Sequence, residues 1–262
     1  MKAPSHQLIK DVAALKQKKF RDERGLILVE GRHPIEEALR AGLKLQQAFT
    51  LADQPADSLP NVAWPMSPVV VDEAVMARLS STSSAPPCLA VFKKPKQPAQ
   101  VQGDFVLLLD GLQDPGNLGT LIRSAVAFGV DSVVLTGDSV EPTNPKVIRA
   151  SAGLVFALPI LECEHDALPD LFPASDWTIY TTTGVQKALP YRAVDYTGRC
   201  VIVLGNEGRG VSKDLFPDYT LQALTIPMDE RVESLNVAVS GSVILAEAAA
   251  RRKAKCSEAQ SV

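Results

Sequence analysis

The chain has 262 residues, enough for one large domain or two modest ones with an ample core. Its 46% hydrophobic and 22% charged content is that of a globular chain, and no apolar run reaches the ~20 residues that a membrane helix needs. The first twenty residues lack the apolar stretch of a secretory signal and include Asp11, so a cytoplasmic location is the expectation. The net charge of −3 is unevenly spread: residues 1–97 hold 14 Lys and Arg against 10 Asp and Glu, and residues 98–262 hold 13 against 20. A basic front half suits a polyanionic partner, although a charged stretch is more often simply a solvated face. Cys88, Cys163, Cys200 and Cys256 are scattered, as are His6, His33 and His165. None stands at metal-ligand spacing, so no metal is expected and the cysteines read as reduced, mostly buried thiols.

In chain order, the apolar spacing of Leu8, Val12 and Leu15 predicts a helix over 7–18, followed by a strand in "GLILVEG" (25–31). "HPIEEALRAG" (33–42) has Pro34 in its first turn and stops at Gly42, as a helix does. Strands are predicted at 45–52, 67–72 and 88–93 and a helix at 73–80, which makes residues 1–97 a small α/β sandwich. The charged, Pro-containing stretch "VFKKPKQPAQVQG" (91–103) marks a linker at about 93–103. From 104 to 262, strands at 105–111, 132–137, 177–183, 200–206 and 221–228 alternate with helices, notably 117–128 and 235–253. Strands that are apolar throughout predict a parallel sheet covered on both faces, with ligands bound beyond the carboxyl ends of its strands.

Three loops at such ends carry the chemistry. "LGNEGRGVS" (204–212) follows an apolar strand, and its glycines signal either a close backbone approach or a tight turn. It is neither G-x-x-x-x-G-K-[ST] nor G-x-G-x-x-G, since Gly205, Gly208 and Gly210 run G-x-x-G-x-G. Glu207 inside it would repel a pyrophosphate, so a flat adenosine or a cationic sulfonium fits better. In "LDGLQDPGNLGTLIRSAVAFGV" (109–130), Pro115 and Gly116 turn the chain and Asn117 is expected to cap a helix that carries Arg123. These two residues are six apart and face different sides of the helix. In "IPMDERVESLNVAV" (226–239), Ser234 and Asn236 open the last helix. Taken singly, each residue also fits a plain structural role as a cap, a solvated arginine or a polar loop residue.

Together, "DGLQDPGNLGTLIRSA", "VIVLGNEGRGVS" and "IPMDERVESLNVAVS" resemble motifs one, two and three of the SpoU/TrmH family of RNA ribose 2′-O-methyltransferases, within the SPOUT superfamily. "NPKVIRASAGLVFALPI" (144–160) is similar to the segment between motifs one and two, and "KFRDERGLILVEGRHPIEEAL" (19–39) to the family's substrate-binding N-terminal domain. The resemblance implies an RNA-binding domain at 1–97 and a catalytic domain at 104–262 tied in a deep trefoil knot, a rare exception to unthreaded connections. It implies a homodimer that binds S-adenosylmethionine and methylates RNA, with ribosomal RNA favoured over transfer RNA by the two-domain layout. Arg123, Asn117, Glu207, Ser234 and Asn236 match the family's catalytic positions. Thr182, Leu204, Gly205, Asn206, Gly208, Ile226, Met228 and Leu235 would surround the cofactor, with the Thr181–Gly184 loop close by. Lys16, Lys18, Lys19, Arg21, Arg24 and Arg32, the densest basic stretch, would grip RNA together with Arg149 and "KKPK" (93–96). One position departs from the pattern: Glu230 stands where the family often has glycine. The alternative, a catalytically silent RNA-binding or ribosome-assembly protein that retains the fold, is opposed by the complete set of five motif residues. A nicotinamide-dependent oxidoreductase is opposed by the lack of an early G-x-G-x-x-G.

Overall fold

The structure is a computed structural model that describes residues 4–52, 54–55, 58–182, 188–217 and 219–259. The chain divides into two compact units, Met1–Lys96 with Glu141–Ala157, and Gln97–Val140 with Leu158–Val262. In the first, α1 (His6–Ala14) and α2 (Lys18–Arg24) precede β1 (Leu26–Glu30), α3 (Arg32–Arg40), β2 (Leu45–Leu51), β3 (Val69–Val71), α4 (Glu73–Leu79) and β4 (Cys88–Lys93). β4 pairs antiparallel with β1 and β2, and β3 joins β2 in parallel, giving the order β1-β4-β2-β3. The strands bury Leu28, Phe49, Leu89 and Val91 against Ile9, Val12 and Leu15 and against Met76 and Leu79 of α4. Ser5 caps α1 by accepting the Leu8 N–H, and Asp72 caps α4 by accepting the Val75 N–H.

The second unit contains β5 (Phe105–Asp110), α5 (Pro115–Ala127) and β6 (Ser132–Thr136). After α6 (Pro145–Ala150), which belongs to the first unit, it continues with β7 (Ile160–Glu162), α7 (Leu168–Leu171), β8 (Thr178–Thr182) and β9 (Leu189–Pro190). It ends with β10 (Cys200–Gly205), β11 (Gln222–Thr225) and α8 (Val237–Ala259). The strands form one sheet in the order β7-β6-β5-β10-β8-β11-β9, and every pairing is parallel, as the apolar runs predict. β5, β6 and β10 are buried at every position. Val106, Leu108, Val134, Val201 and Val203 pack with Leu168, Phe172, Trp177, Leu215 and Phe216. α5 and α8 pack together, and a Cβ at Gly241 would lie 2.5 Å from Leu121 and from Leu204. Glycine there lets α8 sit directly against α5 and β10. The short edge strands β7 and β9 were not expected; they hold too few residues to show a period. Thr183, the end of the strand predicted at 177–183, lies outside the described residues.

The first unit differs from the sequence reading at two points. The helix predicted over 7–18 is interrupted after Ala14, and α2 follows it. α2 has no legible apolar stripe because its innermost side chain is Arg21, 1% exposed. Arg21 donates to the carbonyls of Leu15 and Lys16 at 2.7 and 2.8 Å and forms a buried ion pair with Glu141. Glu141 also marks the second difference, because the compact unit around the seven-stranded sheet leaves out residues 141–157. Residues 141–157 pack with the first unit, where α6, capped by Asn144, lies on β1 and Gly153 (φ +86°) approaches Pro34. A Cβ on Gly153 would stand 2.6 Å from the Pro34 Cα. Of the cysteines, Cys88 and Cys200 are buried, and burial pushes each thiol up to about 12; Cys163 is half-buried and Cys256 exposed. Arg21→Ala should cost about 3–5 kcal/mol in denaturant unfolding, since the Glu141 charge is left buried with only the Thr143 hydroxyl as a partner, whereas Arg21→Met with Glu141→Leu should recover most of that loss.

Candidate active site

The glycine-rich loop begins at the last residue of β10. A Cβ at Gly205 would lie 2.1–2.2 Å from backbone atoms of Gly210 and Val211. The loop folds back on itself: the Asn206 N–H donates to Gly210 O at 3.1 Å, and the Gly210 N–H returns to Asn206 O at 2.9 Å. Gly210 has φ +71°, a left-handed conformation that glycine adopts without strain. What the glycines approach is therefore the loop's own backbone. The Asn206 side chain completes the turn. Its Oδ1 accepts the N–H groups of Gly208 and Arg209 at 2.9 and 3.2 Å, and its Nδ2 donates to Gly111 O at 2.8 Å.

The three loops meet through side chains. Asp114, not Asn117, caps α5, accepting the Asn117 N–H at 2.8 Å with Pro115 as the first helical residue. That correction frees the Asn117 amide, whose Nδ2 donates to Glu207 Oε1 at 2.6 Å. Its Oδ1 accepts from Asn236 Nδ2 at 3.0 Å. Asn236 in turn caps α8, its Oδ1 accepting the N–H groups of Ala238 and Val239 at 2.9 and 3.3 Å. A hydrogen-bonded line Glu207–Asn117–Asn236 thus joins one residue from each loop and ends on the amides of a helix start.

Beside this line, at the carboxyl ends of β8, β10 and β11, lies a cavity of about 470 Å³. Thr182, Gly205, Asn206, Ile226, Met228 and Leu235, all expected around a cofactor, line it, as do the expected catalytic residues Glu207, Ser234 and Asn236. Leu204 and Gly208 do not: Leu204 is in the core beneath Gly241, and Gly208 is tied to Asn206. Arg123 is not brought to the cavity either; it is exposed on α5 with no hydrogen bond or ion pair among the described residues. Of the 181–184 stretch, residues 183 and 184 lie outside the described residues. Among the described residues, the lining includes the carboxylates of Glu207 and Glu233 and no Lys, Arg or His, alongside Leu224, Ile226, Met228, Leu235 and Ile244. Met228 and Leu235 remain 42% and 38% exposed. Such walls suit a ligand with an apolar ring and a positive charge and disfavour a polyphosphate. S-adenosylmethionine has that character.

On the other side of the loop, Asp110 ends β5 and is 2% exposed. Its Oδ1 accepts from Thr136 Oγ1 at 3.0 Å and contacts His165 Nε2 at 2.9 Å, and its Oδ2 accepts the Ser212 N–H at 2.8 Å. Burial by itself would push this carboxyl up, but the hydrogen bonds from Ser212, His165 and Thr136 outweigh it and hold it below the usual carboxylate range. Sequence reasoning missed this pair because His165 stands alone in the chain; the one available signal was an Asp ending an apolar strand.

The expected RNA-binding cations all belong to the first unit, including Arg149 through the 141–157 segment. Lys18 and Lys19 are exposed, Lys19 near Glu23 at 3.9 Å. Arg24 bonds Asp11, Arg32 bonds Glu36, and Lys16 donates to Arg78 O at 2.7 Å. Arg149 donates to Ser81 Oγ at 3.1 Å. Arg21 is corrected: its guanidinium is buried in internal hydrogen bonds and cannot meet a polyanion.

Comparison with known proteins agrees with this geometry. Residues 104–246 match the SpoU rRNA Methylase family, and residues 6–90 match the MRM3-like substrate binding domain. An uncharacterized tRNA/rRNA methyltransferase of Synechocystis is 34% identical over 92% of this chain and 90% of its own length. The 23S rRNA (guanosine(2553)-2′-O)-methyltransferase RlmP of Bacillus subtilis is 30% identical over 94% and 97%. A crystal structure of an RNA 2′-O ribose methyltransferase superposes with a TM-score of 0.84 at 31% identity, covering 96% of this chain and 98% of that one. The AdoMet-bound rRNA methyltransferase from Sinorhizobium meliloti gives 0.80 at 30%, over 95% and 96%. The chain belongs to the SpoU rRNA Methylase family.

The depressed Asp110 carboxyl has a pH signature. Its contribution to stability is complete above the ordinary unfolded carboxylate value, ~3.9, and is lost as pH falls through the lower folded value. Asp110→Asn should destabilise the chain at neutral pH and flatten the acid limb of its stability curve, measured by denaturant unfolding between about pH 2 and about pH 7.

Proposed function

We propose that this chain transfers a methyl group from S-adenosylmethionine to a ribose 2′-hydroxyl of ribosomal RNA. The observation that carries the reading is the line Glu207–Asn117–Asn236, whose two ends line one cavity of suitable chemistry. When bound, S-adenosylmethionine supplies a methyl group activated by its sulfonium centre. Leu224, Ile226, Leu235 and Ile244 would pack its adenosine, while Glu207 and Glu233 would favour its cationic part. Glu207 Oε1 is engaged by Asn117, and Oε2 has no partner among the described residues, so Oε2 is the acceptor available to a ribose hydroxyl. Asn117 and Asn236 hold that carboxylate in one orientation, which is the alignment an in-line displacement requires.

A guanidinium carries N–H donors and no acceptor, so Arg123 is not the group that takes the hydroxyl proton. It fits a clamp on the phosphate beside the target ribose and a stabiliser of developing alkoxide charge. Its exposed, unpartnered position on α5 supports a homodimer in which Arg123 of one chain completes the site of the other. The exposed Val232, Leu235 and Val239 offer apolar surface for such an interface. The trefoil knot belongs to the same reading; it is supported by the insertion of β10 between β5 and β8, two strands that precede it in the chain. Lys18 and Lys19, exposed in the first unit, are the proposed phosphate contacts.

With labelled cofactor and unmodified ribosomal RNA transcripts, Arg123→Ala should lower kcat about 100-fold or more while cofactor affinity stays within about twofold. Wild-type turnover by that variant would remove Arg123 from the site. The double variant Lys18→Glu/Lys19→Glu should weaken RNA binding and reduce the slope of log K against log salt by about 1.5–2, with cofactor binding unchanged. An unaltered slope would exclude both lysines from the RNA interface.

A further inference from the structure

A second, smaller cavity of about 170 Å³ lies at the carboxyl ends of β5 and β6. The glycine-rich loop is a wall common to both cavities, because Asn206 and Gly210 line each of them. The floor of the small cavity is chemically complete. The buried Asp110 carboxylate is satisfied by Thr136, His165 and Ser212, and it holds the His165 ring in place. The rim is incomplete. Gln113, Asp138 and Arg209 line the cavity from three separate loops, all exposed, and none of their side chains has a hydrogen bond or ion pair among the described residues. A carboxylate, a guanidinium and an amide therefore converge without pairing with one another. The enclosed space equals about five to six waters at ~30 Å³ each, room for one flat heterocycle and too little for a whole nucleotide.

We propose that this cavity receives the base of the target nucleotide and selects guanine, an inference that rests on the methyltransferase reading above. Guanine is the base with two adjacent donors, N1–H and N2–H, on one edge and two adjacent acceptors, O6 and N7, on another. A carboxylate meets the first edge with both oxygens, and an arginine fork meets the second. Asp138 and Arg209 supply these two partners. Adenine offers a single exocyclic donor group flanked by acceptors, and neither pyrimidine presents two paired edges of opposite sense. The placement fits one nucleotide as well. Arg209 follows Glu207 by two residues in a loop closed by its own hydrogen bonds, a separation of at most ~7 Å along the chain, the scale of a ribose and its own base. A ribose hydroxyl at Glu207 and its guanine beside Arg209 would thus span the shared wall.

The test uses the full-length chain, labelled S-adenosylmethionine and unmodified transcripts of the large- and small-subunit ribosomal RNAs, with the methylated nucleotide mapped. The expected product is 2′-O-methylguanosine. Asp138→Asn and Arg209→Ala should each lower kcat/KM by about tenfold, with unfolding midpoint and cofactor affinity unchanged. Inosine at the target, which lacks the N2 amino group, should impair the wild type and cause no further loss in Asp138→Asn. The 7-deazaguanosine transcript, which lacks N7, should do the same for Arg209→Ala; a simple phosphate contact would leave that penalty in place. Methylation of a nucleotide other than guanosine, rates within about twofold of wild type in both variants, or equal analogue penalties in wild type and variants would overturn the subsite alone. Absence of methyl transfer to any RNA by the wild-type chain would overturn the catalytic reading and the subsite with it.

Discussion

The site depends on one short chain of hydrogen bonds, from Glu207 through Asn117 to Asn236 and into the first amides of α8. Each residue does two things at once. Asn236 satisfies a helix start and orients Asn117; Asn117 takes no part in capping because Asp114 already supplies that bond. The line can form only because α8 lies against both α5 and β10, which in turn requires glycine at 241. Side-chain polarity at the surface is thus anchored to the packing of the core.

The glycine-rich loop extends the same logic. Its shape is closed by backbone bonds between Asn206 and Gly210 and by the Asn206 side chain, so its form is set before any ligand arrives. Preformed walls avoid the ordering entropy that a mobile loop would lose on binding. With Asp110 fixed beneath it and Glu207 held above, one turn of chain presents chemically different faces to two cavities. The larger is acidic and apolar; the smaller carries mixed charge on its rim.

In the first unit, the buried Arg21–Glu141 pair joins α2 to a segment that arrives from 120 residues away in sequence. A buried pair of this kind adds little net stability compared with apolar packing, but removing one partner is costly, so it specifies where the 141–157 segment docks. The same pair explains why basic composition overstated the available cationic surface. Arg21 is consumed internally, and Arg24, Arg32 and Arg149 are engaged with neighbours, which leaves Lys18 and Lys19 as the freer charges.

The amino-acid sequence by itself determined the parallel sheet, because β5, β6 and β10 carry continuous apolar runs, all of them buried, and only a doubly covered strand tolerates that pattern. It also fixed the order of the three loops, and their resemblance to the family's motifs pointed to most of the residues around the larger cavity. The tertiary structure alone decided which side chains meet. Asn117 and Glu207 stand 90 residues apart, Asp110 and His165 stand 55 apart, and nothing in their local spacing signals either contact. It likewise decided that Asp114 rather than Asn117 caps α5, that Arg21 points inward, and that 141–157 packs with the first unit. The reason is physical: periodicity reports which face of an element is apolar, whereas the partner of a polar side chain is set by where packing places distant elements.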